Sequence, residues 1–194
     1  MDAKNTLLLV IYTLTTSLTF SQASFHKFGF LSKEFSKELS IYYAKTFVME
    51  EILGNSNNVV KFEINALAAA SSGELTSLVY KSDDLKKKGL VLGFYGDRWN
   101  DHGVVYQSYA FKDLPEDKAI ELLSKLDSIT NKYSKYVNSD LGTNNIYFQY
   151  DDMTFLIYNT TTKTILRVGW NGFDSEWEWN AVYKTQKRLL TKLK

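Results

Sequence analysis

The densest polar cluster in the chain is Asp97-Arg98-Trp99-Asn100-Asp101-His102. An imidazole beside carboxylates is the pairing that general acid–base chemistry uses. His102 would act as base or metal ligand, and Asp97 or Asp101 would orient its ring. The same residue types also make a charged hairpin loop, with Trp99 folded back onto a sheet. Only one other histidine exists, His26. A metal here would therefore lean on carboxylates, and the His-Glu-x-x-His spacing of zinc hydrolases is missing. No metal and no cofactor are expected.

A second candidate is Glu176-Trp177-Glu178-Trp179. Carboxylates beside indoles suit carbohydrate, because sugar faces stack on aromatic rings and hydroxyls bond to carboxylates. Glycosidases use two carboxyl groups roughly 5 to 9.5 Å apart. On a helix Glu176 and Glu178 diverge, since residues two apart do not share a face. On a strand they share a face at about 6.6 to 6.8 Å, opposite to both indoles. The other reading of this run puts tryptophan in the core and glutamate at a helix start. Other catalytic signatures are missing. There is no Gly-x-Ser-x-Gly elbow, and Gly93-Phe94-Tyr95-Gly96 lacks both the dinucleotide glycine spacing and a Walker lysine.

The chain holds 12 Phe, 13 Tyr and 4 Trp, enough to serve both burial and recognition. Strand alternation assigns Phe94, Phe148 and Tyr150 to one face, and Tyr95 and Tyr147 to the other. A sheet with one wet face does not require aromatics on both sides. Either a helix covers each face or a tyrosine-rich face meets a partner. The candidate ligand-binding set is Tyr95, Trp99, Tyr106, Tyr147, Trp170, Trp177 and Trp179. The leading expectation is an exported, non-catalytic binding protein whose partner is a protein, a glycan or a small apolar ligand. The alternative is a secreted or periplasmic hydrolase using Asp97, Asp101 and His102, or Glu176 and Glu178.

The elements that would position these residues follow from period. Ser32 can cap a helix reaching Leu53, with Phe35, Leu39, Tyr42, Thr46, Met49 and Leu53 on one stripe and Gly54-Asn55 as a stop. Val60 to Ala66, Leu75 to Lys81, Leu90 to Tyr95 and Val104 to Phe111 alternate as four strands. Asp113-Leu114-Pro115-Glu116 reads as a capping box opening a helix that continues to Val137. Three strands follow at Asn145 to Tyr150, Thr154 to Tyr158 and Thr164 to Trp170. In the last segment Trp177, Trp179, Ala181 and Tyr183 keep a strand period, whereas Val182, Gln186, Leu189 and Leu193 keep a helical one; the helix is the choice made here. The fold class is α+β, a single domain with an antiparallel sheet of about seven strands and three helices, in the order α-ββββ-α-βββ-α. That element order is similar to the layout of type III secretion chaperones, which alternate short strand runs with three helices and are cytosolic.

The N-terminus points elsewhere. After Asp2 and Lys4 the chain carries no charge until Lys27, with an apolar centre at Leu7 to Tyr12 and small residues at Ser21-Gln22-Ala23. This is the layout of a signal peptide over residues 1–23, cleaved after Ser21 or Ala23, with residues 24–194 as the mature domain. The threonine-diluted run is short for the roughly 20 apolar residues of a membrane span, so no integral span is expected after cleavage. Periplasmic or extracellular location follows. Zero cysteines remove thiol chemistry, disulfides and a lipid-anchor site. With 23 basic and 22 acidic residues the net charge is +1, so no single-sign field for nucleic acid is expected. Asn159-Thr160-Thr161 fits an N-glycosylation sequon.

Overall fold

The period-two runs do become strands, but they pair into two antiparallel sheets. The computed structural model describes residues 29–30, 37–99 and 102–193. A first group of strands comprises β1 (Gly29–Phe30), β2 (Glu63–Ala69), β3 (Leu75–Ser82), β4 (Lys87–Trp99) and β5 (Val105–Pro115). They form one sheet in the order β1-β5-β4-β3-β2. A second group comprises β6 (Asn145–Tyr150), β7 (Met153–Asn159), β8 (Thr164–Trp170) and β9 (Phe173–Glu178), a meander in sequence order. The helices are α1 (Lys37–Phe47), which runs on into a π-helical stretch at Val48–Leu53, then α2 (Glu116–Lys132), α3 (Ser134–Ser139) and α4 (Trp179–Lys192). The expected signal peptide and the Ser32 cap lie outside the described residues. Among the described residues no helix is long and apolar enough to cross a membrane.

Mixed helices with antiparallel sheets are therefore observed, while the finer expectation needs correction. The described residues hold nine strands and four α-helices, not seven and three, and the order α-ββββ-α-βββ-α is not the observed one. The likeness to type III secretion chaperones rested on that order. The strands that the expectation lacked are the two-residue β1 and the full strand β9. Asn171 (φ 50°) and Gly172 (φ 80°) make a two-residue turn with both positions left-handed, and Trp170 pairs with Phe173 across it. Such a turn matches the twist of the strands it joins. Strand β9 then hands over to α4 between Glu178 and Trp179, which is why the last segment shows both periods.

The capping box does not form either. Strand β5 continues through Asp113 to Pro115, pairing with β4 from Val91 to Gly89, and no side chain caps α2. Close approach fixes the register there. A Cβ at Gly89 would lie 2.5 Å from the Leu114 carbonyl oxygen.

Two cores lie on the two faces of the first sheet. One face carries Leu75, Val79, Leu90, Leu92, Phe94 and Leu114, which pack with α2, α4 and the inner face of the second sheet. The other carries Leu78, Tyr80, Val91, Tyr95 and Phe111, which pack under Ala44, Val48 and Ile52 of α1 and its π-helical extension. A helix thus covers the second face, and this accounts for aromatics on both sides of β4. The second sheet packs its inner face into the first of these cores, through residues such as Phe155, Ile157, Val168 and Trp177.

Links between the sheets concentrate near β9. Phe94 packs on Trp170 (4.9 Å between centroids) and Phe173 (6.0 Å). Arg98 donates from Nε to the Asn171 carbonyl (2.9 Å) and from Nη2 to Asn171 Oδ1 (3.2 Å). The β2–β3 turn also reaches across, since the Glu176 amide donates to Glu74 Oε2 (2.6 Å) and the Ser71 amide to Glu178 Oε2 (2.9 Å). The edge of β9 is closed in this way. On the other side, a bulge between Ala66 and Ala68 takes Leu67 out of the β2–β3 register. The Leu67 carbonyl, released from the ladder, accepts from Arg188 of α4.

Candidate functional site

The described part of the loop cluster begins at the end of β4. Asp97 and Arg98 belong to β4, and Asp97 lies opposite Gln107, whose side-chain amide donates to its carboxylate. Arg98 is committed to Asn171 and to the Tyr106 hydroxyl (3.2 Å). His102 is exposed in the turn before β5. Trp99 is the last described residue of β4; Asp101 and His26 lie outside the described residues. Among the described residues no group of three or more carboxylates and histidines is placed to hold a metal ion.

The candidate aromatics do not form one surface. Tyr95 lies beneath α1, with 5% of its surface exposed, and burial pushes its hydroxyl up to about 12. Trp177 is fully buried, and its indole N–H has no partner among the described residues. Trp170 stacks on Phe94 and donates to Asp152 Oδ2 (2.9 Å). Tyr106 holds Arg98. Tyr147 is open to solvent on the outer face of the second sheet, and Trp179 is half-buried at the start of α4. Asn159 of the sequon is buried, its amide donating to Asn138.

Glu176 and Glu178 do share a strand face, because β9 extends to Glu178, and Trp177 points the other way into the core. One ammonium joins them. Lys163 Nζ lies 2.8 Å from Glu176 Oε1 and 3.1 Å from Glu178 Oε1. Burial works against the charge of Glu178, but the Ser71 amide and hydroxyl and the Lys163 ammonium outweigh it and hold the carboxyl below the usual range. The hydrogen bonds that Lys163 donates to Glu176 and Glu178 in turn raise its own value. A carboxylate held ionised in this way is a poor proton donor at neutral pH.

Lys163 and Glu178 of this triad line a cleft of about 700 Å³. Edge strand β2 and Ser71 make one wall, the β7–β8 turn with Thr162 and Lys163 makes another, and the first three turns of α4 make the floor. Trp179 and Tyr183 line it together. They stand four residues apart, one helical turn, and so occupy neighbouring positions on the helix surface. Asn180 and Lys184 add donors beside them, and Arg188 adds a cation. The position of α4 is fixed from below: Thr185 Oγ1 lies 2.6 Å from Ser77 Oγ, and Arg188 holds Leu67. The sequence signalled Glu178 and Trp179 but not Tyr183 or Lys184. Their helical spacing from Trp179 was visible only once α4 was known to start there.

A second concavity of about 620 Å³ lies on the outer face of the second sheet, with Tyr147, Leu156 and Tyr158 along it. Arg167 in it is held by Asp174 through two carboxylate contacts (3.0 and 2.8 Å), which leaves a shallow face of little charge. No family model, curated protein or solved structure matches the chain. Function has to be reasoned from its own residues.

Proposed function

We propose that the chain is an exported, non-catalytic binding protein that takes a glycan in the cleft between β2, the β7–β8 turn and α4. The observation that carries this reading is the pairing of Trp179 and Tyr183 on one cleft floor, with Lys163, Glu178 and Asn180 beside them. Two neighbouring aromatic side chains give successive sugar rings apolar contact, and the surrounding polar groups meet their hydroxyls. A small apolar ligand would want a mainly apolar, enclosing pocket, and this cleft is rich in charge. The lysine-bridged Glu176 and Glu178 favour binding over hydrolysis, as does the commitment of Asp97 to Gln107.

Retardation of the purified protein in gels containing soluble polysaccharides tests the reading. Wild type is expected to be slowed by at least one polymer, and Trp179→Ala to run as if the polymer were absent. Cleavage of a retarding polymer that stops in Glu178→Gln would instead establish a glycosidase. Export rests on the pattern of residues 1–23. N-terminal sequencing from the native host should begin at Gln22 or Ser24, and an intact Met1 would contradict it.

A further inference from the structure

The cleft does not account for the solvent face of α4. This helix contains Lys184, Lys187, Arg188 and Lys192 and no carboxylate, and all four cations are exposed. Lys184, Arg188 and Lys192 recur at every fourth position, so they line one side of the helix over about 12 Å. Lys187 lies beside the row. Among the described residues none of the four enters an ion pair, although Arg188 also holds the Leu67 carbonyl. In a chain of net charge +1 this is a segregation of charge, and the repulsion within the row is relieved by no neighbouring carboxylate of the helix. The row starts inside the cleft, where Lys184 and Arg188 line the floor with Trp179 and Tyr183.

We infer that the ligand is an acidic polysaccharide, a sugar chain bearing carboxylate or sulfate groups. Its rings lie on Trp179 and Tyr183, and its acid groups lie along Lys184, Arg188 and Lys192. This rests on the reading of the cleft as a glycan groove and names the class of glycan. Charge complementarity selects an anionic partner, and the shape of the surface selects among anionic partners. A bilayer surface is flat and does not enter a cleft. A nucleic-acid backbone is held by a continuous cationic track, which Glu178 interrupts beside Lys163. Asn180, Thr162 and Ser71 offer the uncharged polar groups that sugar hydroxyls use.

The test is calorimetric titration of the full chain with polygalacturonate, dextran sulfate and neutral dextran at low and high salt. Wild type, Trp179→Ala and the double variant Lys184→Glu/Lys192→Glu are compared, and Arg188 is left in place for its hold on Leu67. Wild type is expected to bind one of the two acidic polymers and not dextran, with affinity falling as salt rises. The double variant should lose about tenfold or more in affinity while keeping the thermal midpoint of wild type, and Trp179→Ala should lose binding as well. Equal binding to neutral dextran that the double variant retains and Trp179→Ala abolishes would overturn the acidic ligand and leave the cleft reading standing. Acidic-polymer binding untouched by Trp179→Ala would overturn both. Tighter binding to phosphatidylglycerol vesicles or to duplex DNA than to either acidic polymer would overturn the inference in favour of those partners.

Discussion

Glu178 and Asp113 respond to pH in opposite senses, and their surroundings say why. The Glu178 carboxyl is held low by Ser71 and Lys163 against the pull of burial. Its contribution to stability is present above the unfolded value and is lost as pH falls through the lower folded one. Glu178→Gln should therefore cost about 1–2 kcal/mol at neutral pH, and the deficit should close in acid. Asp113 is raised by burial, which outweighs its bond from the Tyr80 hydroxyl and the nearby Lys112 and Lys87; one of its oxygens, Oδ1, is buried without a partner among the described residues. A carboxyl raised on folding penalises the native state fully above its folded value, and the penalty disappears below the unfolded one. Asp113→Asn, which resembles the protonated form, should stabilise the protein at neutral pH by on the order of 1 kcal/mol, with no gain in acid. Urea midpoints across pH for the two variants check both signs. Trp177 supplies a third case. Its indole is fully enclosed, but its N–H is unpartnered among the described residues. Trp177→Ala should cost about 3–5 kcal/mol, and Trp177→Phe clearly less, because it removes an unsatisfied donor along with part of the ring.

At the scale of elements, the hairpin Asn171-Gly172 decides the architecture of the C-terminal half. It turns β8 into β9, places Glu176 and Glu178 beside Lys163, and presents the Asn171 carbonyl to Arg98. Gly172 has φ 80°, and a Cβ there would sit 3.0 Å from Arg98 Nε. Gly172→Ala should accordingly lower stability by about 1–2 kcal/mol, measurable as a shift in urea midpoint. The dipeptide was legible in the sequence as the strongest short hairpin signal. The competing helical period of residues 182–193 masked it, because a strand abutting a helix leaves two periods overlapping in one short window. The capping box at Asp113 misled for a related reason. Local capping chemistry favoured a helix start, but pairing with β4 through Gly89 claims those residues for β5. Strands β6 and β8 were readable from period alone, and so was the body of α2, although the one helix expected through Val137 is broken at Tyr133 into α2 and α3. The split into two sheets was not, because period assigns strands to faces and leaves their pairing partners open. Helix α1 gives the last prediction at this scale. Val48 is fully buried beneath it, so Val48→Asp should release the helix and expose Tyr95 and Phe111. Binding of an apolar dye should rise while amide protection in the second sheet persists, since the two cores are separate.

For the whole molecule, composition averages out the feature that the fold segregates. A balance of 23 basic and 22 acidic residues predicts no directional field, yet every charged residue of α4 is a cation. The aromatic excess resolves in the same way. Most of it fills two cores, and the aromatic pair of the binding reading is Trp179 with Tyr183, on the same helix as the basic row. Sequence alone placed Trp179 in the candidate set but set Trp177 beside it as an equal, although the alternation of β9 sends Trp177 inward and the start of α4 leaves Trp179 at the cleft. The central claim is that this cleft is where ligand sits. Titrating nitrogen-15-labelled protein with a short galacturonate oligomer, while following the indole N–H signals, tests it most directly. The account predicts that the Trp179 signal shifts in a saturable way while that of Trp177, enclosed in the core, stays in place. Saturable binding with Trp179 unmoved and shifts gathered instead around Asp97 and His102 would contradict it.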